Sequence, residues 1–166
     1  MSTSPSVSEP VEGQHARVRT AAAERGLEIE ILERPAARSL HEAAELLGLD
    51  PSGIVKTLVV KRSDDTFLFA LVPGGRKISW PKLRAVVGVN RLKLPDPDIA
   101  LAATGYERGT IVPIGSTTAW PVYADVTVPG RRIAMGAGAL GYSLFVDADA
   151  LISAYDATVA DITEPE

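Results

Sequence analysis

Lys56 stands inside Ile54-Val55-Lys56-Thr57-Leu58-Val59-Val60, a run otherwise suited to burial. On strand parity it shares a face with Ile54, Leu58 and Val60. An ammonium group among apolar side chains is costly unless it reaches water or an anion. Two readings follow. The lysine snorkels out, its stem serving as apolar cover, or it lines a cleft as a functional residue. A second segment able to do chemistry is Thr104-Gly105-Tyr106-Glu107-Arg108-Gly109-Thr110-Ile111-Val112-Pro113-Ile114-Gly115. Its glycines let backbone approach a ligand and expose N–H donors, while Pro113 stiffens the loop. A third, Gly136-Ala137-Gly138-Ala139-Leu140-Gly141, superficially resembles a dinucleotide fingerprint. That motif needs a helix directly after it and an acidic residue about twenty positions on. Residues 142–146 read instead as a strand, which favours a turn or a backbone nest.

Composition removes other chemistries. The 166 residues suit one domain, with 46% hydrophobic, 23% charged and 5% aromatic side chains, so the core must be aliphatic. The absence of Cys excludes a disulfide framework, a thiolate nucleophile and thiolate metal ligation. His15 and His41 both fall in segments that read as outer helices, which argues against a His-based zinc site or a Ser-His-Asp triad. Residues 1–10, rich in Ser and Pro, read as a disordered leader ahead of a single domain over 11–166. Neither a secretory h-region nor an 18-residue apolar run is seen, so the expected location is cytoplasmic, with no membrane partner. The net charge of −4 conceals an asymmetry: residues 54–93 hold nine Lys/Arg against two Asp/Glu, and the rest holds eight against nineteen. Residues 76–93 carry six basic and no acidic side chains; residues 147–166 carry six acidic and no basic ones. A local basic patch can bind a polyanion despite an acidic body, or it is a solvated helix face.

Periodicity sets the elements that must position these groups. Val11, His15, Val18 and Ala22 predict a helix to about residue 25, ended by Gly26. Alternation predicts a strand over 27–32. Ser39 with Glu42 forms a capping box for a helix ending at Gly48. Residues 54–62 and 66–72 predict antiparallel strands joined by a hairpin at 63–65. Ser79 and Pro81 open a helix to residue 87. A short strand at 91–94 and a helix over 98–103 follow, then strands at 122–126, 131–135 and 142–146. Asp147 caps a last helix to about residue 155, and residues 158–162 form a closing strand. Strands outnumber helices, and hairpins outnumber regular βαβ units. The expected class is therefore α/β of the α+β kind, with a mixed, mainly antiparallel sheet flanked by helices.

In order, these segments resemble the YbaK/ProX family of aminoacyl-tRNA deacylases, freestanding relatives of the editing domain inserted in bacterial prolyl-tRNA synthetases. The resemblance covers about residues 14–163. It rests on Val55-Lys56-Thr57-Leu58 after a helix ending Leu46-Leu47-Gly48-Leu49; on Thr104-Gly105-Tyr106 with the loop Gly109-x-x-x-Pro113-x-Gly115; on Pro121 with Asp125; and on the glycine turn before the last helix. It implies a sheet partly curled into a barrel and a cleft for the aminoacylated 3′ end of tRNA. It implies Lys56 as the catalytic residue, and Thr57, Gly105, Tyr106, Gly109, Pro113, Gly115, Gly136, Ala137, Gly138 and Ser143 as substrate-binding residues. Arg76, Lys77, Lys82 and Arg84 become candidate tRNA contacts. Water, assisted by the substrate's ribose hydroxyl, is the implied nucleophile, with no metal and no cofactor. The implied partners are the aminoacyl-tRNA 3′ end and, as a candidate, prolyl-tRNA synthetase, with no DNA.

The chain departs from the cysteinyl-type deacylases at three aligned positions. Gly136 stands for a Ser, Ser143 for an Asp, and Leu32 for a Tyr of an early strand. Hydrogen-bonding pockets discriminate more sharply than apolar ones, so these departures leave the amino acid open. Besides a trans-editing deacylase acting on mischarged tRNA(Pro) or a related tRNA, two readings stand. One is a non-catalytic tRNA- or synthetase-binding module of the same fold. The other is a small-molecule ester hydrolase that does not use the basic patch.

Overall fold

The computed structural model describes the backbone of residues 9–35 and 37–166, and side chains from His15 onward apart from residue 36. Helix α1 spans Glu9–Glu24, so Glu9 and Pro10 of the expected leader are helical, while the rest of that leader lies outside the described residues. Strand β1 is Ile29–Glu33 and α2 is Leu40–Leu47. Ser39 accepts from the Glu42 N–H as expected, but the Glu42 carboxylate accepts from the Arg38 N–H at 2.7 Å, a capping box displaced by one residue. A single 3-10 turn, Pro51–Gly53, leads into β2 (Val55–Arg62) and β3 (Phe67–Pro73). Their connecting turn is held by Asp64, whose carboxylate accepts from the Thr66 N–H and hydroxyl. Then follow β4 (Arg76–Ile78), α3 (Trp80–Val87), β5 (Leu92–Lys93) and α4 (Pro97–Thr104). The last third holds β6 (Val122–Asp125), β7 (Arg132–Gly136), β8 (Tyr142–Asp147), α5 (Ala148–Ala154), β9 (Thr158–Ala160) and β10 (Thr163–Pro165).

Two strands, β4 and β10, are absent from the sequence reading, and the closing strand is divided into β9 and β10. Runs of three residues are too short to show an alternation. They pair with each other, Ile78 opposite Thr163 and Arg76 opposite Pro165, which lays the acidic end of the chain along the start of the basic stretch.

The strands form a five-stranded sheet in the order β5-β2-β3-β6-β9, a three-stranded antiparallel sheet β1-β8-β7, and the β10-β4 pair. In the larger sheet β6 runs parallel to both β3 and β9. Among the described residues no sheet closes on itself, so the expected partial barrel is not formed. Where closure would require a ladder between β2 and β7 there is one isolated parallel bridge, Ile54 to Ala134.

Every residue of β3 is buried because both faces of the large sheet are covered. Phe67, Phe69 and Leu71 enter the main core with Val55, Val59, Ile133, Leu144 and Leu151. Leu68, Ala70 and Val72 enter a smaller one with Val60, Ile78, Leu83 and Ile162. Asp125, fully buried at the end of β6, binds the two regions together. Its carboxylate accepts from the Thr127 hydroxyl and N–H and from the Ile162 N–H at 3.1 Å, with Arg76 Nε at 4.0 Å. Burial pushes this carboxyl's pKa up, but the bonds from Thr127 and Ile162 together outweigh it and hold it below the usual aspartate value. A depressed folded pKa contributes stability above the unfolded value, and that stability is lost as pH falls through the folded one. Asp125→Asn is therefore expected to lose about 3 kcal/mol at pH 7, with a smaller deficit at pH 3. Urea unfolding at both pH values checks this; an equal deficit at the two would contradict it.

Candidate active site

The Ile54–Ala134 bridge sets the geometry around Lys56. Bridge partners point the same way, and so do residues two further along each strand, so Lys56 and Gly136 belong to the same face, each two positions beyond the bridge. Register across the small sheet extends this row: Gly136 lies opposite Ser143, and Ser143 opposite Leu32. The three positions at which the chain departs from the cysteinyl-type pattern are thus immediate cross-strand neighbours. With strands about 4.8 Å apart, the paired row from Leu32 through Ser143 to Gly136 spans about 10 Å. The neighbouring row Ile31, Leu144 and Met135 points the other way, toward the main core.

The glycine loop comes down on this row. A Cβ at Gly136 would sit 2.9 Å from the Thr110 carbonyl oxygen and 3.2 Å from that of Ile111, and the Gly138 N–H donates to the Thr110 carbonyl at 2.9 Å. Two segments far apart in sequence therefore meet through backbone, and only a residue without a side chain fits at 136. Gly109 is exposed at the loop's tip, whereas Thr110 and Pro113 are buried beneath it. Ala137 points into the main core, and its contribution to the row is backbone.

Lys56 is half-buried, with Glu166 Oε2 3.9 Å from its Nζ. An exposed carboxylate at that distance contributes about 0–1 kcal/mol, so an incoming anion can displace it. Thr57 departs from expectation: it points to the opposite face, toward the main core beside Val55 and Val59, and its hydroxyl is buried with no hydrogen-bond partner among the described residues. Adjacent strand residues cannot share a face.

Gly105 and Tyr106 also take a different part from the one expected. Gly105 ends α4 in the left-handed conformation, and Tyr106 is fully buried, donating its hydroxyl to the Ile114 carbonyl at 2.7 Å. Arg17 of α1 lies over the Tyr106 ring and donates to the carbonyls of Gly115 and Thr104. Gly115 lies against both, with no room for a side chain. These three residues brace the loop from behind and do not face a ligand.

The basic stretch is partly internal. Arg76 donates to the Thr163 hydroxyl at 2.6 Å, and Lys82 pairs with Asp161 at 3.0 Å. Among the described residues Lys77, Arg84, Arg91 and Lys93 form no ion pair, so they are the free cations of this surface. The sequence reading missed Arg34, whose Nε donates to the Ser143 hydroxyl at 2.8 Å. Its signal was parity: two positions beyond Leu32, it continues the face of that strand. An open depression of about 780 Å3 beside α1 and β1, lined by Arg19, Glu28, Glu30 and Arg132 among others, shares no residue with the row. Among the described residues no group of three or more His, Asp or Glu is placed to hold a metal ion. No helix there is long and apolar enough to cross a membrane.

Residues 34–154 match the family model described as the aminoacyl-tRNA editing domain, and the chain belongs to that family. It is 37% identical over 109 residues to a proline--tRNA ligase of Shouchella clausii, covering 65% of this chain and 19% of the ligase. The chain thus spans 15–19% of the length of these ligases. It is 30% identical over 129 residues to EbsC of Enterococcus faecalis, named as a candidate Cys-tRNA(Pro)/Cys-tRNA(Cys) deacylase, covering 77% of this chain and 79% of EbsC. The crystal structure of a candidate trans-editing enzyme for prolyl-tRNA synthetase superposes with a TM-score of 0.84 at 27% identity, covering 98% of this chain and 99% of that one.

Gly136→Ser, which restores the residue of the cysteinyl-type pattern, is expected to drive its Cβ against the Thr110 carbonyl and cost about 2 kcal/mol. A lower urea midpoint with unchanged slope is the outcome looked for. An unchanged midpoint would mean that the loop does not press on the sheet.

Proposed function

We propose that the protein is a trans-editing deacylase that hydrolyses the ester joining a wrong amino acid to tRNA, with tRNA(Pro) or a related tRNA as the carrier. The observation that carries this reading is the row Lys56, Gly136 and Ser143 on one face under the Thr110–Ile111 backbone. Membership of the aminoacyl-tRNA editing family supports it.

In this reading the aminoacylated 3′ end lies along the row, with Lys56 toward the terminal nucleotide. Water attacks the ester carbonyl carbon, assisted by the free ribose hydroxyl. The bond from that carbon to the ribose oxygen breaks, the ribose oxygen takes a proton, and amino acid and tRNA separate. Lys56 stabilises the negative charge that develops on the carbonyl oxygen, a donation worth more in a half-buried site than in water. The chemistry invokes neither a protein nucleophile nor a metal. Lys77 and Arg84 supply the phosphate contacts, and prolyl-tRNA synthetase is the proposed partner that releases the substrate. Such work belongs in the cytoplasm, with translation.

The test is a panel of mischarged tRNAs incubated with the protein and with Lys56→Ala. Release of amino acid from at least one member, reduced about 10²–10³-fold by the substitution, is expected. Binding without release by the folded protein would favour the alternative, a non-catalytic tRNA- or synthetase-binding module, to which the closed contact at Gly136 lends its motive. In the same assay the double variant Lys77→Ala/Arg84→Ala should weaken tRNA binding and lower its dependence on log salt by about 1–2. An unchanged slope would point to a hydrolase of small esters.

A further inference from the structure

Arg34 follows β1 directly and reaches across to β8. Its backbone N–H donates to the Gly141 carbonyl at 2.8 Å, its Nε to the Ser143 hydroxyl at 2.8 Å and its Nη1 to the Pro35 carbonyl at 3.0 Å. A guanidinium carries five N–H donors. The side chain thus engages two donors internally, and the other three have no partner among the described residues. Neither does Arg34 form an ion pair among them.

The side chain is half-buried at its Ser143 end, while its bond to Pro35 is exposed, so the free donors face outward. Its neighbours along the row, Leu32, Ser143 and Gly136, carry no charge. Glu33, the adjacent carboxylate in sequence, stands on the opposite face of β1 and is exposed. The free donors are therefore open to an acceptor brought from outside. Ser143 adds to this, since its oxygen accepts from Arg34 and leaves its own O–H to donate. That face therefore offers donors at both ends: Lys56, beyond the Ile54–Ala134 bridge, and Arg34 with Ser143, one strand spacing, about 5 Å, past Gly136.

We propose that Arg34 is a specificity-determining residue, whose free guanidinium edge receives a hydrogen-bond acceptor at the end of the aminoacyl side chain, a carboxylate being the best fit. The inference rests on the reading of this face as the ester-hydrolysing site, with Lys56 toward the nucleotide and the far end left for the amino acid. The planar fork matches a carboxylate bidentately and is pre-oriented by Ser143 and Pro35. Aliphatic side chains leave the fork unpaired, and the site discriminates against them for that reason.

The experiment is calorimetric titration with adenosine carrying glutamate or alanine through a 3′-amide, which cannot be hydrolysed as the ester is, and with AMP alone. The wild type should bind the glutamyl probe at least about 10-fold more tightly than the alanyl one. Arg34→Ala should lose about 10- to 100-fold for the glutamyl probe and leave the alanyl probe and AMP unchanged. Arg34→Gln, which keeps a donor to Ser143, serves as a second variant if Arg34→Ala does not fold, and should lose the preference equally. No preference in the wild type, no glutamyl binding, a preference surviving both substitutions, or an equal loss on all three probes would overturn the proposal. The last result would assign Arg34 to the nucleotide or to packing. Release of amino acid from the panel of ester-linked mischarged tRNAs, measured on the same preparation, reports separately on the deacylase reading.

Discussion

One parallel bridge, Ile54 to Ala134, joins the two main sheets. It brings the start of β2 beside β7, and from there β2 turns away to pair with β3 and β5. Had the ladder continued, the two strands would have merged into one surface. Because it stops after one pair, Lys56 is left at the seam between the sheets, paired through its backbone to β3. Its ammonium group stands half out of water with only the exposed Glu166 carboxylate, 3.9 Å away, beside it. The large sheet supplies the rigidity this requires, since β3 is buried on both faces and cannot shift without disturbing two cores.

The charge asymmetry of the sequence has a structural resolution. The acidic end of the chain folds onto the basic stretch through the β10-β4 pair, through Lys82 with Asp161 and through Arg76 with Thr163. Asp125 gathers the same region by accepting from Ile162, so two of the six basic residues of this stretch, part-buried Arg76 and exposed Lys82, already have partners within the chain. The cations left over, Lys77 and Arg84 among them, form a smaller surface than the sequence suggests. The end of that acidic segment also brings Glu166 beside Lys56, which links the scaffold to the site.

Much of this was legible before any coordinates. Ser39, Asp147 and Gly48 mark helix ends by local hydrogen bonding, which needs no tertiary context. The strands β2 and β3 are long enough to show themselves by composition. What escaped depends on register or on contacts distant in sequence. The closeness of Leu32, Ser143 and Gly136 follows from ladders across β1, β8 and β7, and the burial of Tyr106 from Arg17, eighty-nine positions earlier in the chain. Thr57 was drawn into the site by adjacency to Lys56, although strand parity already turns the two apart. The barrel came from resemblance alone, and the truncated β2–β7 contact replaces it. Arg34 lacks a motif and acquires meaning only through its bond to Ser143.

The central claim is that one face, from Lys56 through Gly136 to Ser143 beneath the Thr110–Ile111 backbone, receives the aminoacylated end of its substrate. It is tested most directly by mapping backbone amide shifts as adenosine bearing a 3′-amide-linked alanine is titrated into the isotopically labelled protein. The account predicts saturable shifts concentrated at Lys56, Thr110, Ile111, Gly136, Gly138 and Ser143. Shifts confined to Arg19, Glu28, Glu30 and Arg132, around the separate depression beside α1, with the Lys56 row unmoved, would contradict it.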